Sequence, residues 1–410
     1  MRYVYILLFV SCLLSATSAS AQSQDDTFDK LDKMLDQDFN DVDRNLENQY
    51  QAIDQAMEDA YRRLGEQVGK KWGKDQVKLP GKKDWVDYSA DLKTRRIFDF
   101  DTGDMRLERV IDAGDSPAGM ISDLTQAANT ALKDSDKDLA GKDIALNWAR
   151  QQLSVKGIDI PVPAREDPTP VLKDIAPAID DAQLADSVSA ALTSGSDQHK
   201  GTVTTAVVPL GNGKRKVVVE VPFDAGYKTT LAGRYLDVIM SGANREGLPA
   251  SLVLAVMDTE SSFNPRATSP IPAYGLMQLV PKSGAMDAYQ YLHGDKKLVD
   301  PEYLYDPDRN VDLGTAYLGL LDQRYLAAVD DKTSRLYCTI AAYNTGAGNV
   351  ARAFSGNTDI GDAASLINKM TADEVYNQLT ERLPYAETRK YLVKVTQAQK
   401  KYVSYDGASL

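Results

Sequence analysis

The chain has 410 residues, 43% of them hydrophobic and 26% charged, and a formal charge of −12 from 47 basic and 59 acidic side chains. This is a globular mixture, too apolar for wholesale disorder and too charged for a membrane bundle, and its length predicts two or three domains. No basic stretch stands out, which argues against nucleic acid as a partner and against adhesion to anionic lipid by charge alone, and two Cys with two His exclude zinc-finger and multi-disulfide scaffolds.

Residues 1–21 read as a signal peptide. Arg2 supplies the positive start, Tyr3 to Leu14 is an apolar run too short to span a bilayer, and Ala19-Ser20-Ala21 is a small-residue cleavage pattern. Cleavage after Ala21 would release a mature chain beginning at Gln22 into the periplasm. A second reading is a lipid anchor on Cys12, after Val10-Ser11, although Leu13 and Leu14 place that Cys inside the apolar run. Cys338, near Leu336, Ile340 and Ala341, reads as a small buried hydrophobe.

Residues 22–73 carry an eleven-residue repeat. Phe28, Phe39, Tyr50 and Tyr61 take one position in it; Leu31, Val42, Ile53 and Leu64 a second; Leu35, Leu46, Met57 and Val68 a third. Eleven residues over three turns give one long amphipathic helix with a nearly straight apolar stripe. Gly73, after Trp72, is a suitable C-cap. The stripe must be covered, either by the protein's own domains or by another copy of the chain in a homo-oligomer. An acidic polar face makes membrane-surface binding the weakest choice.

Residues 74–222 predict a small α+β domain. Short strands run through Val86, Tyr88, Ile97, Phe98, Phe100, Met105, Leu107 and Val110, with Asp101-Thr102-Gly103-Asp104 as a turn. Helices are expected over about 117–133, 141–153 and 182–192, the last two separated by a proline-rich connection from Pro161 to Pro170. Strands Thr202–Val208 and Lys216–Val221 would join at Gly211-Asn212-Gly213. No nucleophile, metal cluster or phosphate loop is recognisable there.

Residues 223–410 predict an all-α domain, with helices over about 229–245, 249–260, 310–328, 333–343 and 386–403. The apolar helix Ser251–Met257 runs directly into Asp258-Thr259-Glu260-Ser261-Ser262. A carboxylate there lies near the negative pole of the helix and in poor solvent, and both effects raise its pKa toward that of a general acid. Asp258 and Glu260 are two residues apart, about 200° around a helix, and cannot face the same bond. Tyr289, Tyr291 and Tyr305 suit either a cleft wall or the core, and His199 and His293 lie in polar, loop-like stretches.

Glu260-Ser261, Gly275-Leu276-Met277-Gln278, Ala342-Tyr343-Asn344 and Glu387-Thr388-Arg389-Lys390-Tyr391 resemble, in order and spacing, the motifs of lytic transglycosylases with a lysozyme-like (goose-type, or SLT) fold. Asp84-Trp85-Val86-Asp87-Tyr88, Thr94-Arg95-Arg96 and Phe100-Asp101-Thr102-Gly103 resemble the amino-terminal domain of the membrane-bound lytic murein transglycosylase C subfamily, which implies association with the outer membrane. The resemblance implies cleavage of the β-1,4 bond between N-acetylmuramic acid and N-acetylglucosamine in peptidoglycan, at chain ends or interiors, leaving 1,6-anhydro ends. Glu260 would be acid and then base. Ser269 and Gln278 would bind saccharide, and Tyr343 and Asn344 would line the cleft. Tyr391 would hold Glu260, with Glu387 supporting the late helix. No metal or cofactor is implied. Two other readings stay open: a lysozyme-type muramidase in which Glu387 or an Asp elsewhere in the chain positions water, and a non-catalytic peptidoglycan-binding scaffold.

Overall fold

A computed structural model describes residues 21–158, 168–210, 213–269 and 273–407, with side chains along the first helix from Glu47 onward. The signal segment up to Ser20, Pro161, Pro163, Gly211-Asn212 and Pro270 lie outside the described residues, as do the side chains of the first half of the repeat. The chain opens in helix α1 (Ala21–Trp72). It stops where predicted, because Gly73 turns the backbone to φ 99°.

From Ala52 onward the described residues pack as one unit. Within it, the stripe of α1 is buried at Ile53, Met57, Leu64, Val68 and Trp72. That half of the repeat is covered by the protein's own core. Arg63 stacks 4.1 Å above the Trp148 ring, and the Trp72 indole donates to the Leu92 carbonyl at 2.7 Å.

The sheet is antiparallel throughout, in the order β1-β2-β3-β6-β5-β4. Its strands are β1 (Asp84–Tyr88), β2 (Thr94–Asp99), β3 (Asp104–Ile111), β4 (Gln198–Lys200), β5 (Val203–Pro209) and β6 (Arg215–Pro222). Trp85 pairs with Phe98, and Phe98 with Met105, so one face presents a continuous apolar row. Helices α2 (Pro117–Ala131) and α5 (Asp181–Ser194) pack against the sheet. On the other face Arg95 lies 4.1 Å over the Trp72 ring. With both faces covered there, β1 and β2 bury nearly every residue, including the Arg95–Glu108 and Arg96–Asp87 ion pairs with their neighbours. The helix expected at 141–153 is α4 (Ile144–Val155), and a short helix that was not expected, α3 (Asp136–Lys142), precedes it. Asp143 breaks them apart, since its carboxylate accepts the Leu146 N–H as the cap of α4. Strand β4 was not expected.

The second half is helical. The stretch expected at 229–245 divides at Arg234–Tyr235 into α6 (Tyr227–Gly233) and α7 (Leu236–Glu246). Then come α8 (Ala250–Ser261), α9 (Met286–His293), α10 (Pro301–Tyr305), α11 (Pro307–Leu320), α12 (Lys332–Thr345), α13 (Ala347–Ser355), α14 (Ile360–Ile367), α15 (Ala372–Arg382) and α16 (Ala386–Tyr402). Helix α8 is buried on all sides, a core helix rather than an amphipathic one, and it packs along α16. Cys338 is fully buried in α12. Among the described residues no helix is long and apolar enough to cross a membrane.

Candidate active site

The site begins at the end of α8. Glu260 is the penultimate helical residue and only 6% exposed. Ser262 and Phe263 follow at φ 50° and 64°, and Gln278 has φ 49°. Three of the five non-glycine residues with positive φ among those described therefore lie beside this carboxylate. Left-handed backbone at bulky residues is costly and persists only where packing imposes it. The buried Phe263 ring, edge-on to Tyr402, supplies that packing here.

The loop Tyr274–Gln278 is tied to the helix end. The Ser261 hydroxyl donates to the Leu276 carbonyl at 2.8 Å. Asn310 of α11 accepts the Met277 N–H at 2.8 Å and donates to the Tyr274 and Leu304 carbonyls. Gly275 is required in this turn: its φ is 74°, and an added Cβ would sit 2.2 Å from the Leu304 carbonyl oxygen. The Tyr343 hydroxyl donates to the Met277 carbonyl at 2.7 Å, so the ring edge packs inward while its body remains in the cleft. Gln278 donates from Nε2 to the Ala267 and Gly275 carbonyls, both at 3.1 Å. Its Oε1 is buried with no hydrogen-bond partner among the described residues. That leaves one oriented acceptor for an incoming hydroxyl or amide.

These elements border a cleft of about 600 Å³, within the usual range for small-ligand sites. Glu260, Ser269, Gln278, Tyr343, Asn344 and Glu387 all line it. The Asn344 Oδ1 accepts from the Thr388 hydroxyl at 2.7 Å, joining α12 to α16. Glu387 is exposed in the first turn of α16, where a carboxylate favours the helix's positive end. Tyr391 lies behind the cleft wall, 6% exposed. Its hydroxyl faces Glu260 and opposes the rise in that residue's pKa, yet makes no hydrogen bond of regular geometry.

Burial raises the Glu260 carboxyl above the ordinary glutamate range. Lys82 and Tyr391 oppose the rise, and the charge of Glu387 adds to it. Asp258 behaves in the opposite way. Burial would raise it too, but Lys228 at 2.9 Å, Lys401 at 3.4 Å and the Tyr402 hydroxyl at 3.1 Å hold it below the usual range. The two acids separated by one residue thus face different surroundings, one desolvated in the cleft wall and the other held in a cationic cluster.

Lys82, Tyr317 and Tyr385 also line the cleft and were not identified from sequence. Tyr305 is buried under Arg266, 3.9 Å from its guanidinium. Tyr291 donates to Glu246, and Tyr289 stacks on His293. None of those three tyrosines borders the cleft as described. His199 and His293 are exposed. Among the described residues no group of three or more His, Cys, Asp or Glu side chains could hold a metal ion.

Residues 237–365 match the family described as transglycosylase SLT domain. Residues 50–137 match the membrane-bound lytic murein transglycosylase C N-terminal domain. A membrane-bound lytic murein transglycosylase C of Klebsiella pneumoniae is 35% identical over 344 residues, covering 83% of this chain and 87% of its own. The protein of the same description from Actinobacillus succinogenes is 32% identical over 347 residues, with the same coverages. The 70 kDa soluble lytic transglycosylase of Escherichia coli, a crystal structure, aligns at 28% identity and a TM-score of 0.33, over 42% of this chain and 24% of that one.

Proposed function

The chain belongs to the membrane-bound lytic murein transglycosylase C family, and from that premise we propose that it is a peptidoglycan lytic transglycosylase in which Glu260 serves as both acid and base. The observation that carries the reading is a single desolvated carboxylate in the cleft wall, its pKa raised by burial, with the neighbouring acid Asp258 neutralised elsewhere. Protonated Glu260 gives its proton to the glycosidic oxygen as the bond to the anomeric carbon of N-acetylmuramic acid breaks. The resulting carboxylate then takes the proton of the muramoyl 6-hydroxyl while that oxygen bonds to the anomeric carbon. No water enters, and the product ends in a 1,6-anhydro ring. Retaining and inverting hydrolases usually place a second carboxylate opposite the first. Glu387 lines the same cleft, but it is exposed and at the start of a different helix.

Ser269, the free Oε1 of Gln278 and the Asn344 side chain serve as polar contacts for the saccharide, with the Tyr343 ring as a stacking surface. Mass spectrometry of digested peptidoglycan tests the reading. Anhydro-ended muropeptides are expected, and products heavier by one water, with reducing ends, would assign a hydrolase instead.

The organisation that suits this activity is a signal peptide over 1–21, the repeat helix over 22–73, a sheet domain over 74–222 and the catalytic domain over 223–410. The relatives are described as membrane-bound, which supports an envelope enzyme. The finer reading is release into the periplasm by cleavage after Ala21, with a lipid on Cys12 as the route to the outer membrane if cleavage falls earlier. The first half of the repeat continues the spacing of the half that is buried, which supports self-association through Phe28, Leu31, Leu35, Phe39, Val42 and Leu46. The intact mass of the exported chain distinguishes a cleaved from a lipidated start.

A further inference from the structure

Lys82 belongs to the loop that precedes β1, in the half of the molecule that carries the sheet. Its ammonium lies 3.7 Å from the Glu260 carboxylate, and its side chain is 40% exposed on the cleft. The loop is fixed where it crosses to the helical half. The Thr268 N–H donates to the Gly81 carbonyl at 3.2 Å, and the Asn264 side chain donates to the Lys82 carbonyl at 3.3 Å. The Phe100 N–H donates to the Lys83 carbonyl at 2.9 Å. The neighbouring lysines are engaged elsewhere, Lys78 with Asp84 and Lys83 with Asp101. Among the described residues Lys82 has one ion-pair partner, Glu260.

We propose that Lys82 is a positioning residue of the catalytic centre, supplied by the sheet half of the chain, which stabilises Glu260 as a carboxylate between loss and recovery of its proton. The proposal rests on the transglycosylase reading and deepens it. Burial favours the first half of the cycle, in which Glu260 must hold a proton. It opposes the second, in which the same residue is an anion in a poorly solvated wall until the 6-hydroxyl proton returns to it. A cation at this distance offsets that penalty, and its partial exposure lets it do so without locking the acid in the ionised state. The remaining groups around Glu260 do not provide this charge. Glu387 is an anion, and Tyr343 and Tyr391 are phenols whose pKa values are raised by burial and by Glu260 itself.

The full-length chain and its Lys82→Met and Lys82→Arg variants would be assayed on peptidoglycan across pH, with anhydro-ended products counted. For Lys82→Met we expect kcat to fall about tenfold with KM little changed, and the alkaline limb of the profile to move up by about one pH unit, because Glu260 holds its proton longer. Lys82→Arg should restore both. A Lys82→Met profile that overlays the parent's, or an arginine variant no better than the methionine one, would overturn the proposal and leave the transglycosylase reading intact. Should the parent yield reducing ends only, that reading fails separately. The titration of Glu260 followed by carboxyl carbon NMR in parent and Lys82→Met then decides the Lys82 contact without turnover. An unchanged titration would reject it.

Discussion

The chemistry assigned to Glu260 requires a group that is neutral on arrival of the substrate and anionic a moment later. Its surroundings suit both states: desolvation favours the proton, and the facing ammonium tolerates its loss. Glu260→Gln keeps the shape and hydrogen-bonding capacity of the neutral form but cannot donate a proton to the leaving oxygen. Turnover should fall by at least about 10²–10⁴-fold, while the melting temperature and retention on insoluble peptidoglycan stay at the parent's values. Activity within tenfold of the parent would move the acid to another residue. Taken alone, a Glu at the end of an apolar helix reads as a solvated terminal residue; the ordered motifs after it, by their resemblance, single it out together with Gln278, Tyr343 and Asn344, and the fold brings these four to one cleft. Lys82 and Tyr317 were not legible, since each reaches the cleft from a segment whose own pattern is ordinary. A lysine in the run Gly81-Lys82-Lys83 reads as a solvated loop charge until the fold sets Gly81 against Thr268.

At the scale of elements, the repeat helix was foreseen in length and ending, because periodicity and a terminal glycine are strong signals. What periodicity cannot say is which surface covers a stripe. The structure gives one answer for its second half: Ile53 through Trp72 join the core, each large side chain contributing roughly 1.5–3 kcal/mol by its burial. Deleting the whole helix would therefore unmake the core, whereas deleting 22–51 removes only the part outside that unit. If the first half self-associates, light scattering should give the mature chain a mass above one copy and the shortened chain the mass of a single copy, with cleavage of soluble glycan fragments unchanged. A monomeric mature chain at high concentration would remove the assembly from the reading. The break at Asp143 and the short helices α14 and α15 escaped the sequence for a related reason. They are set by capping side chains, such as Asp359 accepting from Asp362 N–H and Thr371 with Glu374 in a capping box, and not by an extended apolar period.

For the molecule as a whole, the placement of Lys82 depends on how the sheet half meets the helical half, and that junction includes buried charge within a shared apolar core. Arg150 of α4 pairs with Glu302 of α10 at 2.6 Å, and Arg266, stacked over the Tyr305 ring, lies 3.9 Å from Asp143. Breaking one partner of such a pair costs more than forming the pair gains, so junctions of this type specify one arrangement without adding much net stability. Burial pushes the Glu302 carboxyl up to about 7 from 4.5, against the pull of Arg266 and Arg150. In the unfolded chain the same group loses its proton near its ordinary value. Between those two pH values the folded protein binds the extra proton, so raising the pH through this window lowers stability, and above it the loss is constant. Glu302→Gln presents the neutral shape at every pH and has no such dependence. The melting temperature of the variant minus that of the parent should therefore climb between about pH 4.5 and pH 7 and level off beyond. A difference that is flat across this range would mean that Glu302 is ionised throughout, held by its two arginines. The same titration bears on catalysis, because loosening this junction also loosens the loop that carries Lys82. Parent and Glu302→Gln should then differ in activity most at the alkaline end, where the parent's junction carries its full buried charge.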